Sequence, residues 1–373
     1  MATLVLEGAV EQRVFVASQW QLMWWRFRKH KVAVASAIVV LGFYLVVVGA
    51  DFLAYSDPDV SEAQRSLMPP QRVHLFDGWR FAPYVNGFKG VRDPNSFKRV
   101  YRLDPEVKVP VRFFAEGFEY RFLGVIPTTR HLIGVDGGSD AGKTIFLLGT
   151  DVQGRDLWSR LMYGTRISLT IGLLGVAMSL ALGVVLGGIS GFYGGVLDTV
   201  IQRVIEILRS IPTIPLWMGL AAAMPREWTI HQVYFAITII ISLLGWTELA
   251  RVVRGRFLAM REEDFVISAR LVGCSQLRTI FVHMVPSFMS HIIAATTLAL
   301  PAMIISETAL SFLGLGLRPP AISWGVLLQQ AQNVQTVAIS PWLMLPAVPV
   351  IVVVMAFNFL GDGLRDAADP YGR

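Results

Sequence analysis

Long apolar runs with few or no charges constrain this chain more than any other feature of its sequence. A helix needs about 20 mostly apolar residues to cross the roughly 30 Å hydrocarbon core of a bilayer. Five runs approach or reach that length: residues 32–53, 167–189, 231–247, 284–306 and 339–361. Only 16% of the residues are charged and 54% are hydrophobic, whereas a soluble domain carries about 25% charged residues. The sequence therefore predicts an all-α polytopic membrane protein.

A sixth span, the third in chain order, is less obvious. Residues 210–224 are uncharged but too short to cross alone, so they span only if the preceding turns join them. Those turns contribute four charged residues: Asp198, Arg203, Glu206 and Arg209. The apolar piece 309–317 is also too short, and we interpret it as re-entrant. The first run, 32–53, is longer than the ~7–15-residue core of a signal peptide, so we predict that it stays as a membrane anchor.

Basic residues flank the predicted spans unevenly. Five precede the first span and six lie between the fourth and fifth: Arg13, Arg26, Arg28, Lys29, Lys31, Arg251, Arg254, Arg256, Arg261, Arg270 and Arg278. The short loops on the other side contain only Arg226 and Arg318. Because cytoplasmic loops carry an excess of Lys and Arg, we predict that the N-terminal segment 1–31, the loop 252–283 and the tail 362–373 are cytoplasmic. These flanks account for the net charge of +6, so we predict no nucleic-acid partner.

Residues 54–165 form a long soluble-like stretch. It contains repeated prolines with aromatic and β-branched residues between them, and 109–123 and 131–135 are typical of short strands. A loop of this length crosses the membrane regardless of its charge. We therefore predict a small, partly β extracytoplasmic insertion between the first and second spans. It either contacts an extracytoplasmic binding protein or is a packing lid over the membrane mouth.

Residues 137–144 match the phosphate-binding pattern G-x-x-x-x-G-K-T. A functional phosphate loop joins a buried strand to a helix whose N-terminus faces the phosphates. The following residues, 145–151, do not favour a helix, and the predicted topology places the stretch outside the cytoplasm. We interpret it as a glycine-rich turn. The single cysteine, Cys274, excludes an intramolecular disulfide and a cysteine-based metal cluster within the chain. We expect no cofactor or metal in this chain, and any ATP and Mg²⁺ would be bound by partner subunits.

The predicted cytoplasmic loop has the pattern of two short helices joined at a glycine. Glu263 and Asp264 belong to an acidic cluster that suits the positive end of a helix dipole. Three apolar residues follow at helical spacing on one face: Phe265, Ala269 and Val272. Gly273 can end that helix in a left-handed conformation, and Pro286 suits the first turn of the next span. This elbow (residues 261–286) either transmits movement from a soluble partner or is an ordinary interfacial connector.

The elbow resembles the cytoplasmic "EAA" coupling loop of binding-protein-dependent ABC importers. The family pattern is E-A-A-x-x-x-G followed, after nine residues, by I-x-L-P. Ile267, Ser268 and Ala269 occupy the EAA positions, and Gly273 and Pro286 lie at the matching distances. The sequence departs from the pattern at the leading glutamate, at the middle alanine, and at the Ile and Leu before the proline.

Four further stretches are similar to the C-type permease of dipeptide and oligopeptide importers. They are L-G-T-D-V-Q-G-R-D at 148–156, G-F-Y-G-G at 191–195, S-E-T-A-L-S-F-L-G-L-G at 306–316 and N-F-L-G-D-G-L-R-D at 358–366. The similarity is close from residue 148 to the C-terminus and looser over the first span.

This resemblance implies a type I ABC importer permease fold, with 32–53 as the first transmembrane helix and 166–361 as a five-helix core. It implies four partners: a second permease subunit in a heterodimer, two cytoplasmic ATPases and an extracytoplasmic solute-binding protein. The implied location is a bacterial or archaeal inner membrane. Peptides are the expected solute, with oligosaccharides, opines and nickel chelates as alternatives. Eight residues are expected to couple to the ATPases: Glu263, Asp264, Phe265, Ser268, Ala269, Arg270, Gly273 and Pro286.

Four charged residues in or near the spans are candidates for a second role: Arg203, Glu206, Glu248 and Glu307. Ionisable groups at membrane depth usually face protein or water. They either line a polar solute path between the two permeases or make contacts between the subunits and snorkel at the span ends. Arg203 and Glu206 are three residues apart, so they can also pair along one helix. His291, in the fifth span, is interpreted as a packed histidine rather than a ligand. Two other classes, a secondary transporter and a membrane scaffold, would have no ATPase partner.

Overall fold

The computed structural model describes residues 19–92, 94, 99–135, 145–225 and 227–368. Helices dominate it, and a small β insertion separates the first membrane-length helix from the next. The glycine-rich stretch 137–144, interpreted above as a turn, lies outside the described residues, as do parts of the two terminal segments.

The helical framework agrees with the apolar runs. The longer helices are α1 Gln19–Lys29, α2 Lys31–Leu53, α3 Leu157–Tyr193, α4 Gly195–Ser210, α5 Thr213–Ala222, α6 Ile230–Met260, α10 Met289–Phe312 and α13 Ala347–Ala368. The shorter ones are α7 Asp264–Leu271, α8 Gln276–Arg278, α9 Val285–Ser287, α11 Trp324–Gln329 and α12 Val334–Ile339. Five helical stretches among the described residues are long and apolar enough to cross a membrane, and counting the bent pair α4–α5 raises the number to six. The prediction of a helical polytopic protein is confirmed, while the exact number of spans stays a prediction.

The predicted third span is two helices rather than one. α4 and α5 meet at a bend of 86°. Of the two residues between them, Ile211 has an extended backbone with φ −86° and ψ 129°, as expected of a residue that precedes a proline. Pro212 therefore separates the charged helix α4 from the apolar helix α5.

Close packing of α3 against α6 forms the centre of the helical framework. Gly183, Gly187 and Gly191 recur every fourth residue on α3 and face α6. A Cβ atom at Gly187 would lie 2.5 Å from the carbonyl oxygen of Ala250, and one at Gly191 would lie 2.7 Å from that of Arg254. Real Cβ atoms do not approach backbone so closely, so the glycines permit this contact. Small residues at such spacing are typical of helix pairs in membranes, because they let the backbones approach.

The insertion consists of two small antiparallel sheets. Its strands are β1 Val73–Asp77, β2 Arg80–Arg92, β3 Arg99–Pro110, β4 Arg112–Phe122 and β5 Ile126–Gly134. One sheet has the order β1-β2-β3 and the other pairs β4 with β5. A buried cluster that includes Val85, Val109 and Val135 lies at the base of the insertion. The prediction of a small, partly β insertion is confirmed.

The strand predictions were incomplete. The predicted strand 109–123 is the end of β3 joined to β4, with a break at Val111, and the predicted strand 131–135 is the second half of β5. Neither β1 nor β2 was predicted. β2 contains Pro83, Gly87 and Gly90, which disfavour strands in general but are tolerated at edges and irregular pairings. The register of β2 on β3 does shift next to Gly87.

The piece 309–317, interpreted above as re-entrant, is not an element of its own, and its path relative to the membrane stays a prediction. Its first four residues complete α10, which ends at Phe312, and the remainder forms a turn with Gly314 at φ +75°. Beyond it, Ser323 caps α11 by accepting a hydrogen bond from the Val326 amide at 3.2 Å. This places the Trp324 ring, fully buried, in the core formed with α2, α3 and α13.

Candidate functional site

The elbow begins where α6 ends at Met260. The Glu263 carbonyl accepts the first hydrogen bonds of α7 from the amides of Val266 and Ile267, at 3.0 and 3.1 Å. Asp264 lies in the first turn of α7. The acidic pair Glu263 and Asp264 thus lies at the positive end of the α7 dipole, as the charge pattern predicts.

Gly273 ends α7 in the predicted left-handed conformation. Its φ is +85°, which only glycine adopts without cost. The Gly273 amide donates to the Arg270 carbonyl and the Cys274 amide donates to the Ala269 carbonyl, both at 3.0 Å. This pair of bonds is the Schellman motif, which satisfies the last carbonyls of a helix. Ser275 then starts the next turn by accepting a hydrogen bond from the Arg278 amide at 3.4 Å.

The underside of the elbow is anchored in the helical framework. Val266, Ile280 and Met284 have exposures of 0%, 3% and 0%. They pack in one cluster with Phe192 at the end of α3 and Phe257 near the end of α6. Because this contact is apolar and closely packed, a displacement of the elbow would be transmitted directly to the ends of these two helices.

The opposite side of the elbow exposes large apolar side chains. Leu271 and Val272 are 82% and 85% exposed. Phe265 and Leu277 add exposures of 42% and 62%. Exposed apolar side chains grouped in this way mark a contact surface for another protein or for lipid. We call these four residues the elbow patch.

The predicted coupling residues lie together on the elbow. Seven are exposed: Glu263, Asp264, Phe265, Ser268, Arg270, Gly273 and Pro286. Ala269 is half-buried. The stripe of Phe265, Ala269 and Val272 faces mainly outward. One detail of the prediction was wrong: Pro286 lies in the separate short helix α9, which Phe288 divides from α10.

The prediction missed the anchoring residues Val266, Ile280 and Met284, and it also missed Leu271. A sequence signal existed for two of them, because Ile280 and Met284 are four residues apart and share a helix face. Nothing local distinguishes Val266, which is buried, from its neighbour Phe265, which is exposed.

Three polar contacts attach neighbouring helices close to the elbow. The guanidinium of Arg270 lies over the Phe192 ring at 4.7 Å from its centroid. Arg254 on α6 donates from Nε and Nη2 to the two carboxylate oxygens of Asp198 on α4, at 2.5 and 2.6 Å. Ser190 on α3 also donates to Asp198, at 2.5 Å. A two-point pairing of this kind is strong and directional, so α3, α4 and α6 are joined at one point near the elbow.

The charged residues proposed for a solute path do not form one group. Arg203 donates to Glu206 at 2.7 Å along α4, with side-chain exposures of 73% and 50%. Glu248 is exposed on α6. The local pairing of Arg203 with Glu206 is therefore present, and both residues still face outward from this chain.

Glu307 differs from the other three because it is fully buried. Its carboxylate accepts hydrogen bonds from the hydroxyls of Ser168 at 3.0 Å and Ser311 at 2.9 Å. The Ser168 hydroxyl in turn accepts from the Trp324 amide at 3.1 Å. Glu307 thus joins α3, α10 and α11 inside the chain, and in this conformation it faces neither a path nor the outer surface.

A second polar cluster attaches the insertion to the helices. Tyr55 donates from its hydroxyl to Asp156 at 2.8 Å, and the Ser159 amide donates to the same carboxylate at 2.7 Å. Burial raises the pKa of Asp156 to about 6, although these hydrogen bonds oppose the shift. Burial and the neighbouring Asp156 carboxylate likewise raise the pKa of Tyr55 well above its ordinary value. Nearby, Asp151 pairs with Arg155 at 2.7 Å.

Among the described residues, no group of three or more His, Cys, Asp or Glu side chains is placed to hold a metal ion. His291 is half-buried near the start of α10.

Comparisons with known proteins agree with the resemblance seen in the motifs. A family model for the inner membrane component of binding-protein-dependent transport systems matches residues 183–371. A model for the N-terminal transmembrane domain of oligopeptide transport permease C matches residues 18–70.

Several curated proteins are similar over most of their length. The oligopeptide transport system permease protein OppC of Escherichia coli K12 is 40% identical over 226 residues, which is 60% of this chain and 72% of that protein. OppC of Bacillus subtilis 168 is 36% identical over 223 residues, covering 60% and 70%. A putative peptide transport system permease protein of Brucella suis is 37% identical over 225 residues, covering 60% and 73%.

Among solved structures, a chain of the inward-facing MetNI methionine ABC transporter aligns with 56% of this chain and 96% of its own length. The identity is 16% and the TM-score is 0.43, and a likeness this weak carries no argument. The family model covers about half of the chain, and the curated relatives match at 36–40% identity. The chain therefore belongs to the family of inner membrane components of binding-protein-dependent transport systems.

Proposed function

We propose that this chain is the C-type permease subunit of an ATP-driven importer of peptides. The names of the similar permeases support peptides as the solute class. In this proposal a second permease completes the membrane pathway, two cytoplasmic ATPases bind ATP and Mg²⁺, and an extracytoplasmic binding protein delivers the solute.

The observation that supports the proposal most strongly is that the elbow has one side buried against the helices and one side exposed. Its underside is anchored by Val266, Ile280 and Met284, and its outer side exposes Leu271 and Val272. An ATPase that covers the elbow patch gains apolar burial, and the anchored underside passes its movement to α3 and α6. The eight predicted coupling residues belong to this contact, with Glu263 and Asp264 at its edge.

Two contacts near the elbow link it and its neighbouring helices, and in this proposal movement of the elbow passes to the helices through them. The Asp198–Arg254 pair joins α4 to α6, and Arg270 over Phe192 joins the elbow to α3. ATP binding closes the ATPases, the elbow moves, and the helices open outward, while hydrolysis resets them. ATP can shift this equilibrium only through contacts that differ between the two states, and the elbow patch supplies such contacts.

Exposed charged side chains on α4 and α6 suggest that these helices contact another subunit or a water-filled path within the membrane. Arg203, Glu206 and Glu248 are exposed in this single chain. Ionisable side chains at membrane depth face protein or water rather than lipid. We therefore assign this surface to the second permease or to the solute path between the two subunits.

The proposed topology places the N-terminal segment 1–31, the elbow and the tail 362–373 in the cytoplasm of a bacterium or archaeon. The first span is 32–53, the core is 166–361, and the insertion 54–165 lies outside. The insertion is attached to the start of α3 through Tyr55 and Asp156, so a binding protein that contacts it acts next to the pathway.

The test is reconstitution of the chain with the second permease, the two ATPases and the binding protein in vesicles. We expect uptake of labelled peptides that requires ATP and all four partners. Uptake that follows an ion gradient and needs no ATPase would overturn the proposal. A ligand screen of the binding protein with peptides, oligosaccharides, opines and nickel chelates tests the solute class separately.

A further inference from the structure

Helix α1 (Gln19–Lys29) precedes the first membrane-length helix and has two different sides. His30 separates it from α2, and the His30 ring accepts a hydrogen bond from the Ala33 amide at 3.1 Å. α1 therefore lies at the end of the first span, where a membrane surface is within reach of its side chains.

One side of α1 is docked on this chain. Met23 and Phe27, four residues apart, are 9% and 8% exposed. Phe27 packs with Ala33 and Ala367, which belong to α2 and α13. The Ser290 hydroxyl donates to the Met23 sulfur at 3.1 Å, so α1 also reaches the start of α10, immediately after the elbow.

The other side of α1 exposes aromatic and basic residues together. Trp20, Trp24 and Trp25 are 59%, 56% and 41% exposed. Arg28 and Lys29 at the end of α1, and Lys31 at the start of α2, are exposed as well. Tryptophan is enriched at the level of lipid headgroups because its ring is amphipathic, and clustered Lys and Arg beside a span attract anionic lipids.

We propose that α1 is an interfacial helix that binds the anionic phospholipids of the inner leaflet. Trp20 and Trp24 lie between headgroups, and Arg28, Lys29 and Lys31 bind their phosphates. Charge complementarity favours this occupant over a protein partner, because four basic residues, Arg26, Arg28, Lys29 and Lys31, accompany three exposed tryptophans within twelve residues of chain. The contact of α1 with α10 places this lipid next to the elbow.

This inference rests on the cytoplasmic orientation given under the proposed function, and its test is independent of transport. The full-length chain is placed in nanodiscs of phosphatidylcholine alone or with added phosphatidylglycerol. Hydrogen exchange is then measured over residues 19–31 by mass spectrometry. An isolated helix shorter than about 12–15 residues is marginal in water, so exchange from α1 reports its attachment.

Each basic residue close to an anionic surface changes partitioning by about fivefold, which gives roughly 100-fold for three. We expect phosphatidylglycerol to slow exchange in α1 by about tenfold or more. The variant Arg28→Gln/Lys29→Gln/Lys31→Gln should lose this effect. The control Arg92→Gln/Arg102→Gln/Arg121→Gln removes the same charge from exposed strand residues of the insertion and should keep it.

Three results would overturn the inference. The first is wild-type exchange in α1 that is the same in both lipids. The second is a control variant that loses the slowing by phosphatidylglycerol as completely as the Arg28/Lys29/Lys31 variant does. The third is protection of α1 that appears only when the second permease is added. The last result would assign the tryptophans to a subunit contact. Because no ATPase or solute is present, a failure here leaves the transport proposal standing, and a failure of ATP-driven uptake leaves this result unchanged.

Discussion

Replacing Leu271 and Val272 by serine should release the partner ATPases and leave this chain folded. Both side chains are mostly exposed, at 82% and 85%, so their removal costs the free chain about 0.5 kcal/mol or less. Full burial of a Leu or Val side chain contributes about 1.5–3 kcal/mol. Scaled by the exposed fractions, covering both by an ATPase contributes about 2.5–5 kcal/mol, and its loss weakens binding by roughly 60-fold or more.

The assay is titration of the ATPase subunits onto the two permeases in nanodiscs, with binding read by fluorescence anisotropy. The control is Val334→Ser/Ile339→Ser on α12, where the side chains are 80% and 55% exposed on the opposite face of the proposed topology. Thermal unfolding of both variants checks that folding is intact. Unchanged ATPase affinity in the elbow variant, or an equal loss in the control, would refute the reasoning.

Three further predictions concern the elbow, the helix packing and the insertion. Gly273→Pro should abolish ATP-driven uptake without preventing membrane insertion, because proline cannot adopt φ +85° and has no N–H for the Arg270 carbonyl. Gly187→Ala should destabilise the α3–α6 contact by about 1–3 kcal/mol through overpacking, measured as a lower unfolding temperature. Asp156→Asn should flatten the pH dependence of stability. The pKa of Asp156, near 6 in the folded chain, exceeds its unfolded value, so wild-type stability should fall by about 3 kcal/mol from about pH 4 to about pH 6 and stay level above.

Each of these predictions has its own control. For the elbow it is membrane localisation of the Gly273→Pro chain, and normal uptake would contradict the role of the elbow. For the packing it is Gly42→Ala, where an added Cβ has nothing within 4 Å, and equal unfolding temperatures would contradict the argument. For the insertion the control is the stability of the wild type measured at each pH. An Asp156→Asn chain with the same dependence of stability on pH as the wild type would show that another group titrates.

The membrane helices could be predicted because their signal is local. An uncharged apolar run such as 167–189 has few alternatives to a spanning helix, and α3 covers it entirely. The bend between α4 and α5 also has a local cause, since Pro212 favours the extended backbone seen at Ile211. Run length and residue preferences were sufficient wherever the conformation of a segment depended only on its own residues.

The sheets and the burial of particular residues depended on distant parts of the chain. β2 forms despite Pro83 and Gly87 because β1 and β3 pair with its two edges. Glu307 is buried because Ser168, 139 residues away, supplies a hydroxyl to its carboxylate. No pattern around residue 307 indicates that partner.

At the elbow, the sequence identified the segment but not its faces. The positions of Gly273 and of the acidic residues follow from capping chemistry, and both predictions are confirmed by the backbone. The side of α7 that packs inward is set by contact with Phe192 and Phe257 on other helices. The spacing of the apolar stripe therefore showed that its residues share one face, but not that this face lies mainly on the surface, where a partner can cover it.

Labelling of Cys274, the single cysteine and a half-buried residue of the elbow, tests the central claim most directly. Inverted and right-side-out membrane vesicles are treated with a membrane-impermeant maleimide, with and without the ATPases. The account predicts labelling only in inverted vesicles and protection when the ATPases bind. Labelling in right-side-out vesicles, or labelling that the ATPases do not change, would contradict it.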